Sequence, residues 1–210
     1  MSDLTKKAMP VPKPARPSAH LMNRSGNCSR NGRRGAVAMA LHRTDVAVTA
    51  SGRRVRFDMV AASAFEGETR DAVLGLKYRN ERANALVLAT LLVPCVPAGT
   101  DLFTWAPTSD RRRMARGVDH AELITRHLGA LTGIPVGRVL RRVGDGRQTG
   151  ASREQRRHAV GFVAHGHPRG THVVVVDDVV TTGSTMRAAV AALLAVGYGV
   201  VSCLSVAMVE

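Results

Sequence analysis

No lysine follows Lys77 in this 210-residue chain. A Walker A phosphate loop reads GxxxxGK[ST] and needs its lysine at the outer phosphates, so that route to a nucleoside triphosphate is closed beyond Lys77. No GxGxxG fingerprint takes its place. Cysteine is equally sparse. Cys28, Cys95 and Cys203 stand alone, without CxxC spacing, which leaves too few thiolates for a four-ligand zinc site. His20 and His42 could join Cys28 only on paper. Cys95 and Cys203 lie in apolar surroundings and read as buried thiols, the pattern of a reducing cytoplasm. No run of about 18 uncharged apolar residues occurs, and no charged-then-apolar leader ends in a cleavage site. A soluble, cytoplasmic protein with no membrane partner is expected.

Charge, by contrast, is abundant and lopsided. Of the formal net charge of +14, residues 1–58 carry +9 and the remaining 152 carry +5. The first quarter also holds Pro10, Pro12, Pro14 and Pro17, an Asn/Ser/Gly/Arg-rich stretch from Asn23 to Gly35, and few aromatics to seed a core. Such a segment cannot bury enough apolar surface to offset its ordering entropy, so disorder is expected to about residue 35. A basic tail that touches nucleic acid is the sharper alternative. The organisation expected is a basic, Pro/Gly/Ser-rich, largely disordered region over 1–58 and one folded domain over 59–210. At 45% hydrophobic residues the chain has material for one good core and not for two large domains.

Periodicity places the elements. From Ala36 to Val60 the pattern is irregular, with a strand or two near Val46 to Phe57. Leu74, Leu76, Ala85, Leu88 and Leu92 support two helices joined at Tyr78 to Glu81. Asp101–Ala106 reads as a strand, Ala115–Leu131 as one helix, Pro135–Leu140 as a short strand, Gly144–His158 as a polar loop and Val160–Ala164 as a strand. A helix over Ser184–Ala195 and a strand over Gly199–Val209 complete the chain. Strands alternating with helices indicate an α/β fold with a parallel sheet and ligands at the strand C-termini.

The most telling segment is VVVVDDVVTTGST, from Val173 to Thr185. Four β-branched residues run into two carboxylates, and hydroxyls and a glycine then open an amphipathic helix: a buried parallel strand, a sharp loop and a helix N-terminus. First-turn amides and the helix dipole suit a phosphate dianion. Thr181, Thr182, Ser184 and Thr185 add hydroxyls, and Gly183 permits close backbone approach. A phosphate cradle beside Asp177 and Asp178 fits a sugar phosphate better than a nucleoside triphosphate. A second cluster, Ser109-Asp110-Arg111-Arg112-Arg113 with Arg116, follows the strand ending at Ala106. Guanidinium forks there suit pyrophosphate, or form a solvated basic patch.

The Val173–Thr185 segment closely resembles the PRPP-binding motif of type I phosphoribosyltransferases. Further landmarks resemble the ComF-type branch: Lys77-Tyr78, Arg116-Gly117-Val118-Asp119-His120 where that branch has Arg-Gly-Phe-Asn-Gln, and Gln148-Thr149-Gly150-Ala151-Ser152-Arg153 followed by Arg156 and Arg157. Together they span about residues 64–208. The resemblance implies a type I phosphoribosyltransferase-like α/β fold: a mainly parallel twisted sheet flanked by helices, with a small N-terminal hood over about residues 61–95. It implies ribose hydroxyls on Asp177 and Asp178 as catalytic carboxylates, the 5′-phosphate on Thr181, Thr182, Gly183, Ser184 and Thr185, and pyrophosphate towards Ser109, Asp110 and Arg111. A flexible loop with Gln148, Arg153 and Arg156 would close over the site, or serve as plain surface. Mg²⁺ would enter with PRPP, held mainly by substrate rather than directly by protein.

Departures from the branch are equally specific. The paired-cysteine zinc module common at its N-terminus is missing, and residues 1–35 are either a functional tail or the product of an upstream start. Two function classes follow. One is transfer of phosphoribose to a nitrogenous acceptor with release of pyrophosphate. The other is a non-catalytic PRPP-fold protein serving DNA uptake, competence or repair through partners. The acceptor base is not identified, and a weak DNA contact by the basic tail and a homodimer stay open as partners.

Overall fold

The computed structural model of the chain describes residues 40–143, 161–166 and 170–209. The Val173–Val176 run dictates the centre of the fold. β-Branched residues in sequence favour an extended strand, and apolarity on both alternating faces requires cover on both sides. That strand, His172–Val180, is the sixth of seven among the described residues: β1 (Leu41–Val48), β2 (Arg54–Ala64), β3 (Leu102–Trp105), β4 (Leu140–Val143), β5 (Gly161–Ala164), β6 (His172–Val180) and β7 (Val200–Met208). Five α-helices lie among the described residues: α1 (Gly67–Tyr78), α2 (Asn84–Leu92), α3 (Asp110–Arg116), α4 (His120–Thr132) and α5 (Ser184–Ala195). The main sheet has the order β1-β2-β7-β6-β3, while β4 and β5 pair separately. Its β2–β7, β7–β6 and β6–β3 pairs are parallel, and β1–β2 is antiparallel. The architecture is therefore α/β with a mostly parallel central sheet.

The alternation of β6 divides the core. Val173 and Val175 face α5, against Met186, Ala189, Val190 and Leu193. Val174 and Val176 face α1, α2 and α4, against Leu76, Leu88, Ile124 and Leu128. All four valines are fully buried. Residues 61–95, where the hood is expected, contribute α1 and α2 to this second layer. Ala85, Leu88, Ala89 and Leu92 of α2 are completely buried against α4 and the sheet, because an almost wholly apolar helix cannot be left as a cap in solvent. We expect Leu88→Ala to cost about 2–5 kcal/mol and to lower the melting temperature by roughly 5–15 °C. Val87→Ala, on the outward face of the same helix, should change stability by less than about 0.5 kcal/mol.

Several boundaries differ from the sequence expectation. The division at 58/59 falls inside β2, and the sheet already begins at Leu41. The apolar residues on one face of this hairpin, Ala47, Phe57 and Met59, join the α5-side core. Disorder to residue 35 and the basic tail lie outside the described residues. The single helix expected over Ala115–Leu131 is two. The Gly117 amide closes α3 on the Arg113 carbonyl (2.8 Å), and Asp119 caps α4 by accepting from the Glu122 amide (3.5 Å). Over Pro135–Leu140 only Val136 bridges Phe103, and the strand starts at Leu140. Cys203 is buried as expected, but Cys95 is only half-buried. Among the described residues no helix is long and apolar enough to cross a membrane.

Candidate active site

β3 ends four residues before β6 does in their shared register, and that mismatch makes the site. Trp105 pairs with Val176, and the Ala106 amide donates to the Val176 carbonyl (3.1 Å). Beyond that point β6 continues with β7 as its only strand neighbour among the described residues, through Asp177↔Ser205 and Val180↔Met208. A cleft of about 340 Å³ occupies the gap, between β6 and the segment that carries Pro107, Thr108 and α3. Strand alternation sends Asp177 towards the α5 side and Asp178 towards α1, yet both border the cleft. Thr181 borders it from the following loop and Thr185 from the first turn of α5.

The loop is shaped for an anion. Gly183 sits at φ 77° and forms the N-cap of α5, so the cap residue itself has no side chain to bond the first-turn amides. The Thr182 hydroxyl accepts from the Ser184 amide (3.4 Å) and donates to the Ser184 hydroxyl (3.2 Å). Backbone amides at a twelve-residue helix start, with hydroxyls beside them, can bind a phosphate group.

The carboxylates are held in unlike states. Lys77, at the end of α1, donates to Asp178 Oδ1 at 2.7 Å, with both side chains largely covered. Asp177 accepts from the Asp178 amide (2.8 Å). Burial, and then the neighbouring Asp178 charge, push the Asp177 carboxyl well above the usual range. Asp119, 7% exposed, accepts from the Thr108 amide (2.9 Å) and so fastens the strand-end loop to α4; burial raises its carboxyl. His120 is 4% exposed, lines the cleft, and has no hydrogen-bond partner among the described residues. Burial lowers its imidazole, against the opposing pull of Asp178, so the neutral ring is favoured.

The residues expected for pyrophosphate divide by helix geometry. Ser109 caps α3 through the Arg112 amide (3.4 Å), Asp110 pairs outward with Arg113 (3.2 Å), and Arg111 is exposed and away from the cleft lining. Arg112 and Arg116, four apart on one face, line the cleft instead. Arg116 also lies over the Tyr78 ring, 5.4 Å from its centroid. Gln148, Arg153 and Arg156 lie outside the described residues. Arg142, from β4, also lines the cleft and donates to the Pro107 carbonyl (3.5 Å), and nothing local in the sequence marks it for that place. His120 and Asp119 do carry a signal, namely their position just after the Arg-Gly of α3. Their roles depend on α4 folding back beneath Thr108.

No curated protein matches the sequence. Among solved structures, a purine phosphoribosyltransferase from Pyrococcus horikoshii Ot3 is similar at 20% identity, covering 60% of this chain and 72% of that one, with a TM-score of 0.37. An adenine phosphoribosyltransferase from Leishmania donovani is similar at 18% identity, covering 63% and 55%, with a TM-score of 0.40. Another adenine phosphoribosyltransferase aligns at 16% identity over 80% of this chain and 85% of its own, with a TM-score of 0.40. The family model described as phosphoribosyl transferase domain matches residues 114–208, from within α3 to the end of β7, and so takes in His120, both carboxylates and the Thr181–Thr185 loop.

Proposed function

We propose that this protein binds PRPP and transfers its phosphoribosyl group to a nitrogenous acceptor, releasing pyrophosphate. The observation that carries the reading is one cleft bordered by three chemistries. Asp177 and Asp178 stand at the open end of β6, Thr181 and Thr185 begin and end the loop beyond it, and Arg112 and Arg116 face them from α3. The loop takes the 5′-phosphate, the carboxylates take the ribose hydroxyls, and the guanidinium forks take the pyrophosphate. Arg112 and Arg116 assume the role expected of Ser109, Asp110 and Arg111.

As the bond from C1 to the pyrophosphate oxygen breaks, the bonding pair leaves with pyrophosphate and an acceptor nitrogen closes on C1. Arg112 and Arg116 stabilise the departing charge, and the carboxylates favour the positive charge that grows at C1. Neutral His120 is able to take the proton that the acceptor gives up. The oxygen-only donors of Asp177 and Asp178 suit a magnesium ion carried in by the substrate, which when bound adds positive charge beside the pyrophosphate.

The test is pyrophosphate release from Mg·PRPP by the full chain, with and without a panel of purine and pyrimidine bases. Base-dependent release of one equivalent of pyrophosphate per base consumed is the expected result; no PRPP binding in calorimetry would refute the reading. Binding without release would favour a non-catalytic ComF-type role in DNA uptake or repair. That second reading is supported by Val118-Asp119-His120 standing where the branch has Phe-Asn-Gln.

A further inference from the structure

Against the Thr181–Thr185 segment, outside the residues that line the cleft, two arginines and an aspartate form a closed cluster. Arg43 and Asp45, two residues apart on β1, share a face of that strand and reach the start of α5. Arg43 donates from Nη1 to the Thr181 carbonyl (3.2 Å) and from Nη2 to the Thr182 carbonyl (2.8 Å). Arg187, in the first turn of α5, donates to the same Thr182 carbonyl (3.0 Å). Asp45 Oδ2 accepts from Arg43 (3.1 Å) and from Arg187 (2.6 Å), tying the two guanidiniums together. Asp45 is largely covered. Burial acts to raise its carboxyl, but the Val46 amide and the two arginines outweigh this and keep it ionised.

We infer that Arg43, Asp45 and Arg187 are positioning residues that set the phosphate loop for its ligand by pulling the Thr181 and Thr182 carbonyls out of the cleft. The physical reason lies in the peptide unit. In a trans peptide the C=O and N–H point in opposite directions, and the described residues contain no cis bond. Drawing the carbonyls of Thr181 and Thr182 towards the cluster therefore turns the amides of Thr182 and Gly183 the other way, towards the phosphate. Without the cluster these carbonyls could rotate inward and present negative dipoles to a dianion. The two guanidiniums against one carboxylate also leave the loop a net positive charge from behind. Packing is close enough that a Cβ on Gly183 would meet the Arg43 guanidinium.

This inference rests on the proposed reading of Thr181–Thr185 as the 5′-phosphate subsite. It is tested by calorimetry on the full chain and on its Arg43→Gln, Asp45→Asn and Arg187→Gln variants, with Mg·PRPP, ribose 5-phosphate and pyrophosphate as separate probes. The expected result, in affinity for both ribose phosphates, is a loss of about a hundredfold for Arg43→Gln and about tenfold for Asp45→Asn and Arg187→Gln, with no change for pyrophosphate. Arg43→Lys should not restore binding, because one ammonium cannot span two carbonyls as a fork does. Asp45→Asn keeps the size of the side chain and provides a folded variant if either arginine variant does not fold. Unchanged ribose 5-phosphate affinity in the variants, or an equal loss for all three probes, would overturn the positioning role, while PRPP binding by the wild type would still stand. Selective loss of ribose 5-phosphate in a protein that never binds PRPP would sustain the clamp and remove the transferase reading. Wild-type protein that binds neither ribose phosphate would remove both.

Discussion

Replacing Asp177 and Asp178 together with asparagine is expected to lower PRPP affinity about a hundredfold and to stop pyrophosphate release, with the fold retained. Asparagine keeps the shape of each side chain and still accepts one hydrogen bond, so β6 and its pairing with β7 stand. What is lost is charge assistance to the ribose hydroxyls, worth about a factor of ten for each carboxylate. Calorimetry with Mg·PRPP measures the affinity, and unchanged binding would remove these residues from the site. Stability provides an independent check. The native state holds a proton on Asp177 more tightly than the unfolded chain does, because burial and Asp178 raise its carboxyl above the ordinary value of 3.8. Its contribution to stability is full below that ordinary value and is lost as pH rises through the raised native one. Asp177→Asn alone should therefore melt above the wild type at neutral pH, and the gap should close towards acid pH. Such a result would identify β6's open end as a place where the fold tolerates unfavourable electrostatics, as functional sites do.

Gly183→Ala should be the most damaging single substitution for phosphate binding. An alanine at φ 77° costs about 1–2 kcal/mol, or roughly 2–8 °C in melting temperature. Gly197→Ala provides a matched control. Its φ is 94° and an added Cβ there meets nothing within 4 Å, so it should show the strain alone. At Gly183 the Cβ also displaces the Arg43 guanidinium from the Thr181 and Thr182 carbonyls. The loop then relaxes in the free protein, and the ligand must restore it. Two hydrogen bonds to a charged group correspond to a loss of about a hundredfold or more in ribose 5-phosphate affinity. Comparable melting losses in the two variants, with binding lost only at Gly183, are expected; equal binding in both would show that the loop needs no support from β1.

The part of the site built from contiguous residues is legible in the amino-acid sequence itself. Val173–Val176 reads as a doubly buried strand because its apolarity does not alternate, and the Asp, Thr and Gly that follow must then fall at a strand end and a helix start. The bounds expected for the helix Ser184–Ala195 agree with those of α5 because Gly183 and the apolar stripe mark it locally. The break of α3 from α4 departs from the expected single helix, although Gly117 and Asp119 signal it, because the apolar period continues across them. The choice of Arg112 and Arg116 over Arg111 follows from helix phase, which becomes definite only once Ser109 is known to be the cap.

Other features cannot be read from local order at all. Lys77 meets Asp178 across 101 residues and Arg43 meets Thr181 across 138. Neither pairing leaves a mark in composition or period, because each exists only after the sheet has brought β1 beside β2, and α1 and α5 to the same end of the strands. Periodicity and turn chemistry are properties of neighbours along the chain and dictate strands, helices and the strand-to-helix turn that follows Asp177 and Asp178. The raised carboxyl of Asp177, the covered ring of His120 and the brace behind the loop depend on which distant groups exclude water and share charge, and packing alone supplies that.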